Sequence, residues 1–149
     1  MRQQKTALVY AVDLLARQEH SEQHLREKLE RKGYGPEEIE AAFVRLKERR
    51  YLDDEAACAR QFEYFYTDSH KSVRQICLKL QQRGFDNALI RSCVPQDCFE
   101  REKQAALRTL ELKYKPSADK QKMLAGLFRQ GFDMTASKAA VQEFLEAER

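Results

Sequence analysis

The fold is decided by the tetrapeptide Gln82-Arg83-Gly84-Phe85 together with two further glycine–aromatic pairs, Gly33-Tyr34 and Gly131-Phe132. A glycine just past a helix favours the left-handed C-terminal cap, and an apolar residue beside it can pack against the last turn. Apolar residues recur in register four and eight positions before each glycine and ten positions after it: Leu29, Leu80 and Leu127; Leu25, Ile76 and Met123; Phe43, Val94 and Val141. The sequence therefore predicts a threefold repeat.

Each copy of the repeat predicts three helices. In the first copy, Ile39, Ala42, Phe43 and Leu46 follow one another at the spacings of three and four that a helix requires. No alternating strand pattern competes with these helices. We predict an all-α fold, an elongated tandem array of about nine helices in three units at residues 1–52, 53–96 and 97–149. Units this small bury little alone, so neighbouring units must stack.

Capping signals predict where several helices begin. Gly35-Pro36 places a proline in the first turn of the third helix, and Asp53 can cap the fourth. Ser72 with Gln75, and Asp97 with Glu100, have the spacing of a capping box. We expect Ser117 to cap a later helix, whose apolar residues are Met123, Leu124, Leu127 and Phe128.

Composition limits the function more than it defines it. The chain has 27 basic and 24 acidic residues, a net charge of +3 and a mean hydropathy of -0.74. This surplus is small for an obligate nucleic-acid binder. The apolar run at residues 7–12 is too short for a signal sequence or a membrane span. Four cysteines without a CxxC pair indicate a reducing compartment. We expect a soluble, cytoplasmic monomer.

Residues that could perform chemistry are few. There is no glycine-rich phosphate loop, GxSxG or HExxH motif, so no enzyme, cofactor or metal site is predicted. His20 and His24 are spaced to share a helix face, but a solvated or capping role is favoured over metal binding. Asp53 and Asp54 could suggest metal or acid–base chemistry, although a helix cap with a favourable charge fits better.

The sequence resembles the RecX family, the bacterial regulators of the RecA recombinase. Three stretches carry the resemblance: LLARQEHSEQHLREKL at residues 14–29, YLDDE at residues 51–55 and RQICLKLQQRGF at residues 74–85. Arg50 departs from the family pattern, in which glycine usually precedes Tyr-Leu-Asp-Asp. Ala57 replaces a usual bulky aromatic residue, and Ser72 replaces a glycine that often opens the next helix.

The resemblance implies a protein that lies in the groove of the RecA–DNA filament and modulates, mainly by inhibition, recombination, ATP hydrolysis and LexA-type co-cleavage. The implied partner is the RecA filament, with weak binding to single- or double-stranded DNA as a further expectation. No cofactor or membrane partner is implied. We predict partner-binding roles for exposed basic residues, namely Arg26, Lys28, Arg31, Lys47, Arg49, Lys120 and Lys122.

Two alternatives stay open at the level of sequence. The basic residues of the first unit could form an ordinary solvated face, because Glu22, Glu27 and Glu30 lie among them. A three-helix unit is also the size of a helix-turn-helix DNA binder, which would need an outward basic recognition helix and usually a dimer.

Overall fold

The computed structural model describes residues 4–147, which form nine helices and no strand. The helices are α1 (Ala7–Arg17), α2 (Glu22–Lys32), α3 (Pro36–Glu48), α4 (Asp54–Asp68), α5 (Val73–Gln82), α6 (Asn87–Cys93), α7 (Phe99–Lys113), α8 (Lys120–Arg129) and α9 (Met134–Glu146). The all-α prediction of tandem three-helix repeats is confirmed. The borders at 52/53 and 96/97 stay predictions; both fall in connections between helices.

Three separate apolar cores follow the repeat. The first draws on α1–α3, the second on α4–α6 and the third on α7–α9. The apolar positions four and eight residues before each glycine are fully buried in these cores, at Leu29, Leu80, Leu127, Leu25, Ile76 and Met123. Burying one such side chain contributes about 1.5–3 kcal/mol, so this register is a main source of each unit's stability.

The three glycines end the middle helices α2, α5 and α8 as predicted. Gly33, Gly84 and Gly131 have φ values of 101°, 91° and 93°, in the left-handed region. The amide of the aromatic residue after each glycine donates to the carbonyl of the buried leucine five positions earlier, at 3.2, 3.2 and 3.1 Å. This is the Schellman arrangement, and it satisfies carbonyls that the helix end leaves free.

The helix starts agree with the sequence at three places and differ at two. Asp53 and Ser72 cap α4 and α5, and Pro36 opens α3. The prediction for Ser117 was wrong, because a turn occupies this segment and Asp119 caps α8 by accepting the amide of Gln121. The cap of α7 is Cys98, although the Asp97 carboxylate accepts the amide of Phe99 at 3.0 Å.

The prediction that Phe128 packs with Met123, Leu124 and Leu127 was also wrong. Its side chain is 64% exposed, whereas Met123 and Leu127 are fully buried. One turn of α8 separates Phe128 from Leu124, but Phe128 lies beyond the edge of the buried stripe. A large apolar side chain therefore remains available on the surface of the third unit.

Arg50, which stands where the family pattern has glycine, has an unusual backbone conformation. It adopts a φ of 58° after α3, and the amide of Tyr51 donates to the carbonyl of Leu46 at 2.9 Å. The arginine therefore occupies the conformation that glycine adopts freely.

We expect Arg50→Gly to raise the free energy of unfolding by about 1 kcal/mol, because the left-handed conformation costs a residue with Cβ roughly that amount. Urea denaturation of both proteins measures the change. An unchanged or lower stability would show that contacts of the arginine side chain outweigh the backbone cost.

The middle helices meet end to end through a serine joint that occurs twice. Ser21 Oγ, at the start of α2, donates to the carbonyl of Arg83 at the end of α5 at 2.6 Å. Ser72 Oγ, at the start of α5, donates to the carbonyl of Gln130 at the end of α8 at 2.7 Å. Each N-terminus therefore meets the C-terminus of the next middle helix, an arrangement that the helix dipole favours.

The glycines at these joints have a second role in packing. A Cβ built on Gly84 would lie 2.5 Å from Ser21 Oγ, and one on Gly131 would lie 2.7 Å from Ser72 Oγ. Gly33 ends α2, and within the described residues a Cβ there would meet nothing within 4 Å. The missing side chains of Gly84 and Gly131 thus allow the close approach of neighbouring units.

Each joint also includes a carboxylate from the first helix of the following unit. Asp54 Oδ1 accepts the amide of Glu22 at 2.9 Å, and Glu102 Oε1 accepts the amide of Val73 at 3.1 Å. Glu22 and Val73 are the first residues of α2 and α5, whose free amides need an acceptor. The two joints are therefore built in the same way from serine, glycine and carboxylate.

The array exposes more surface than a compact protein of its mass. Its accessible area is 10095 Å², whereas a compact monomer of its 17.5 kDa has roughly 7,900 Å². The excess agrees with units that meet only at joints. Within residues 4–147, every helix is too short or too polar to cross a bilayer.

Candidate partner-binding surface

Two of the predicted basic residues form ion pairs within the first unit. The guanidinium of Arg26 forms ion pairs with Glu40 and Glu22 and lies 4.5 Å above the ring of Phe43. The ammonium of Lys47 lies 3.1 Å from the same Glu22 carboxylate. These contacts tie α2 to α3, so Arg26 and Lys47 have partners within the protein.

Lys28 contacts a buried histidine instead of facing solvent freely. His20 is 9% exposed, which contradicts the predicted solvated role. Its Nδ1 lies 2.7 Å from the carbonyl of Gln18, and its Nε2 lies 2.8 Å from Lys28 Nζ. Burial is the main cause that lowers the pKa of His20, and the Lys28 charge acts in the same direction. The neutral ring therefore donates through Nδ1 and accepts through Nε2.

The remaining predicted residues are exposed. Arg31 and Arg49 lie at the ends of α2 and α3, while Lys120 and Lys122 lie in the first turn of α8. Within residues 4–147 none of these four forms an ion pair, in contrast to Arg26 and Lys47. The seven predicted residues consequently do not form one cluster, and their role in binding stays a prediction.

A small cleft lies at the joint between the first two units. It has a volume of about 310 Å³ and is lined by residues from both sides, including His24, Lys28, Gln61 and Arg83. At its edge the Glu19 carboxylate pairs with Arg60 and accepts the Gln61 amide at 2.8 Å. This joint is thus closed by an exposed ion pair, which contributes little.

The second joint is closed by the guanidinium of Arg101, a role that the sequence did not reveal; its side chain is 14% exposed. Arg101 donates to the carbonyls of Phe65, Tyr66 and Ser69 at 3.2, 3.0 and 3.1 Å, and to that of Lys71. It also lies 2.8 Å from Glu102, whose side chain is 9% exposed. These bonds join α7 to the end of α4 and the α4–α5 loop, so the second joint is held by more buried polar contacts than the first.

Both joint carboxylates have a perturbed pKa. Burial raises the pKa of Glu102, and the hydrogen bonds from Arg101 and Val73 oppose it only in part. Burial likewise raises the pKa of Asp54, against the hydrogen bond from the amide of Glu22. Sequence had placed Asp54 at a helix start, but only its contact with the preceding unit shows why it is desolvated.

Two cysteines of the second unit lie close together. Cys58 and Cys93 lie with their sulfurs 4.0 Å apart, and neither is in a disulfide. Burial, followed by the neighbouring Cys93, raises the pKa of Cys58 to about 12. A thiol with so high a pKa is a poor nucleophile at neutral pH, which indicates a packing role.

An array of three-helix units joined end to end defines a class, the helical-repeat proteins, whose extended surfaces bind other macromolecules. The family model described as RecX, first three-helix domain, matches residues 7–46, which cover α1, α2 and most of α3. The chain belongs to the RecX family. Family membership is shown by the regulatory protein RecX of Neisseria meningitidis serogroup C, which is 32% identical over 148 residues, covering 95% of this chain and 93% of that protein.

Further relatives agree over nearly the whole length. The regulatory protein RecX of Vibrio vulnificus is 28% identical over 137 residues, 89% of each chain. The crystal structure of RecX from Lactobacillus salivarius superposes with a TM-score of 0.80 at 16% identity, covering 93% of this chain and 94% of the other. A second RecX crystal structure has a TM-score of 0.78 at 22% identity, over 91% and 71% of the two chains. These structures support the fold.

Proposed function

We propose that this protein is a regulator without catalytic activity that binds in the groove of RecA–DNA filaments and modulates RecA, mainly by inhibition. Inhibition would extend to recombination, ATP hydrolysis and co-protease activity. The main support for the proposal is that the chain belongs to a family of regulatory proteins, one of which is 32% identical to it over 148 residues. RecA is proposed as the partner because the sequence resembles a family of RecA regulators.

The architecture supports this proposal physically. A filament repeats the same surface along its axis, and an array of small units can make a weak contact at each repeat. Linked weak contacts add to a strong overall affinity when the geometry allows them to form together. The exposed cations Arg31, Arg49, Lys120 and Lys122 are available for such contacts, and the engaged Arg26, Lys28 and Lys47 are proposed to contribute less.

We expect the purified protein to slow DNA-dependent ATP hydrolysis by RecA filaments, because a protein that occupies the groove hinders subunit motion and filament growth. A coupled ATPase assay with increasing protein concentration measures the effect. Heat-unfolded protein at the same concentration is the control. Unchanged hydrolysis at saturating folded protein would contradict the proposed inhibition.

The helix-turn-helix alternative makes a different prediction for naked DNA. A sequence-reading protein would discriminate among duplex sequences at physiological salt. Filter binding to duplexes of different sequence therefore separates the two functions. We expect weak and sequence-independent binding.

A further inference from the structure

The outward face of the middle helices differs in charge from one unit to the next. Aligning the units on their glycines superposes one exposed stripe from each middle helix, opposite the buried positions. The stripes are Gln23, Glu27 and Glu30 on α2; Arg74, Leu78 and Gln81 on α5; and Gln121, Ala125 and Phe128 on α8. The stripe is therefore acidic in the first unit and has no acidic residue in the other two.

The helices α5 and α8 also lack acidic residues along their whole length. Residues 69–85 include four lysines or arginines and no carboxylate, and residues 120–132 include three and none. The cations are Lys71, Arg74, Lys79, Arg83, Lys120, Lys122 and Arg129. In the described part of the chain none of them forms an ion pair, whereas Arg26 and Lys47 in the first unit do. Asp68, Asp86, Asp119 and Asp133 flank these two segments. The positive charge is therefore confined to the helices α5 and α8 and the residues next to them.

Two apolar side chains lie within this basic region. Leu78 is 48% exposed and Phe128 is 64% exposed, on stripes that face away from the cores. The joint brings the two helices together, since Ser72 Oγ donates to the carbonyl of Gln130 and the Arg74 side chain lies against Gly131. The stripes thus follow one another along one column of helix.

We propose that the outward face of α5 and α8, defined by Arg74, Leu78, Lys122, Phe128 and Arg129, binds an acidic protein surface with an apolar centre. Phosphate contacts are made through charge, and bases stack on aromatic rings such as that of Phe128. Neither contact uses an aliphatic side chain such as Leu78, which is 48% exposed. Protein interfaces, by contrast, concentrate their energy in buried aromatic and aliphatic anchors ringed by polar groups. The acidic stripe of α2 repels the same partner, so this face ends at the first joint. The contacts proposed for Arg31 and Arg49 lie outside it.

The test uses RecA filaments as the protein probe, and for that choice alone the proposal rests on the proposed function. Co-sedimentation measures the affinity of the wild type and of two double variants, Leu78→Ser with Phe128→Ser and Lys122→Glu with Arg129→Glu. A matched control is Leu112→Ser with Lys113→Glu on α7, because Leu112 is 63% exposed. Circular dichroism and thermal melting establish that each variant folds.

We expect each face variant to lose about tenfold or more in affinity, while the control binds as the wild type does. Equal loss in the control, or no loss in the apolar variant, would overturn the proposal. Anisotropy with a single-stranded oligonucleotide is measured in parallel: loss of oligonucleotide binding with intact filament binding would make this a nucleic-acid surface. If the wild type does not sediment with filaments, the proposed function and the role of this surface in it are both refuted. That outcome is distinct from a loss of affinity that is confined to the variants.

Discussion

Gly131→Ala is expected to lower the free energy of unfolding by about 2–4 kcal/mol, because a methyl group there strains the backbone and opens a joint. The residue has a φ of 93°, and its new Cβ would lie 2.7 Å from Ser72 Oγ and 3.2 Å from the Cβ of Arg74. Ser72 is fully buried and makes two hydrogen bonds through this oxygen. Moving it therefore weakens both the cap of α5 and its link to α8.

Gly33→Ala is the matched control for this prediction. Gly33 has a similar φ of 101°, but a Cβ there meets no atom within 4 Å. We expect it to cost only the backbone term, about 1–2 kcal/mol. Urea denaturation of both variants gives the difference that belongs to the joint, and equal losses would show that the close approach at Gly131 is unimportant.

A double-mutant cycle with Ser72→Ala tests the contact directly. Alone, this change removes a helix cap and the bond to Gln130, at a cost of about 1–2 kcal/mol. In the Gly131→Ala background it also removes the atom that the new methyl group meets. The two losses should therefore sum to more than the loss in the double variant. Additive losses would contradict a direct contact.

The repeat could be read from the sequence because its signals are local. A glycine cap, the aromatic residue after it and the leucine before it lie within six residues, and all three caps form as predicted. The close packing of Gly84 and Gly131 at the joints could not be predicted from these local signals. Their contacts reach Ser21 and Ser72, about 60 positions away, and a cap and a packing site both require glycine.

The candidate site was harder to predict for the same reason. Arg26 and Lys47 are predicted from the sequence to be exposed partner-binding residues, with a solvated face as the alternative. In the structure Glu40 pairs with Arg26, and Glu22 with Lys47, across the α2–α3 contact. Phe128 was counted as a core residue because one turn separates it from Leu124. Its exposure depends on where α7 and α9 pack against α8, which no periodicity within α8 reports.

Glu102→Ala is expected to destabilise the protein by about 2–4 kcal/mol, because it leaves a buried amide and weakens a buried ion pair. The carboxylate accepts the amide of Val73 at 3.1 Å and lies 2.8 Å from the Arg101 guanidinium. Arg101 keeps its carbonyl acceptors on the α4–α5 segment, which limits the loss. Thermal or urea denaturation measures it.

Glu102→Gln separates the hydrogen bond from the charge. Its amide oxygen can still accept the amide of Val73, and loss of the charge also removes the desolvation cost that raises the pKa of Glu102. The expected loss is therefore at most about 1 kcal/mol, smaller than that of the alanine variant. Losses of the same size in both variants would show that the negative charge, and not the acceptor, stabilises this joint. Lys103→Ala is a useful reference, since its ion pairs with Glu100 and Glu143 involve exposed carboxylates.

The pH dependence of the same pair distinguishes burial from ion pairing. Burial raises the pKa of Glu102 above its ordinary 4.5, so the folded protein binds this proton more tightly than the unfolded chain does. Between the pKa of Glu102 in the unfolded chain and its higher pKa in the folded protein, the contribution of Glu102 to stability rises as the pH falls. This contribution is lost as the pH rises through the folded-state pKa. The wild type should therefore gain stability relative to Glu102→Gln as the pH falls from 7 to the ordinary pKa of 4.5. If the wild type instead loses stability relative to that variant, the Arg101 ion pair outweighs desolvation, and this joint would open in acid.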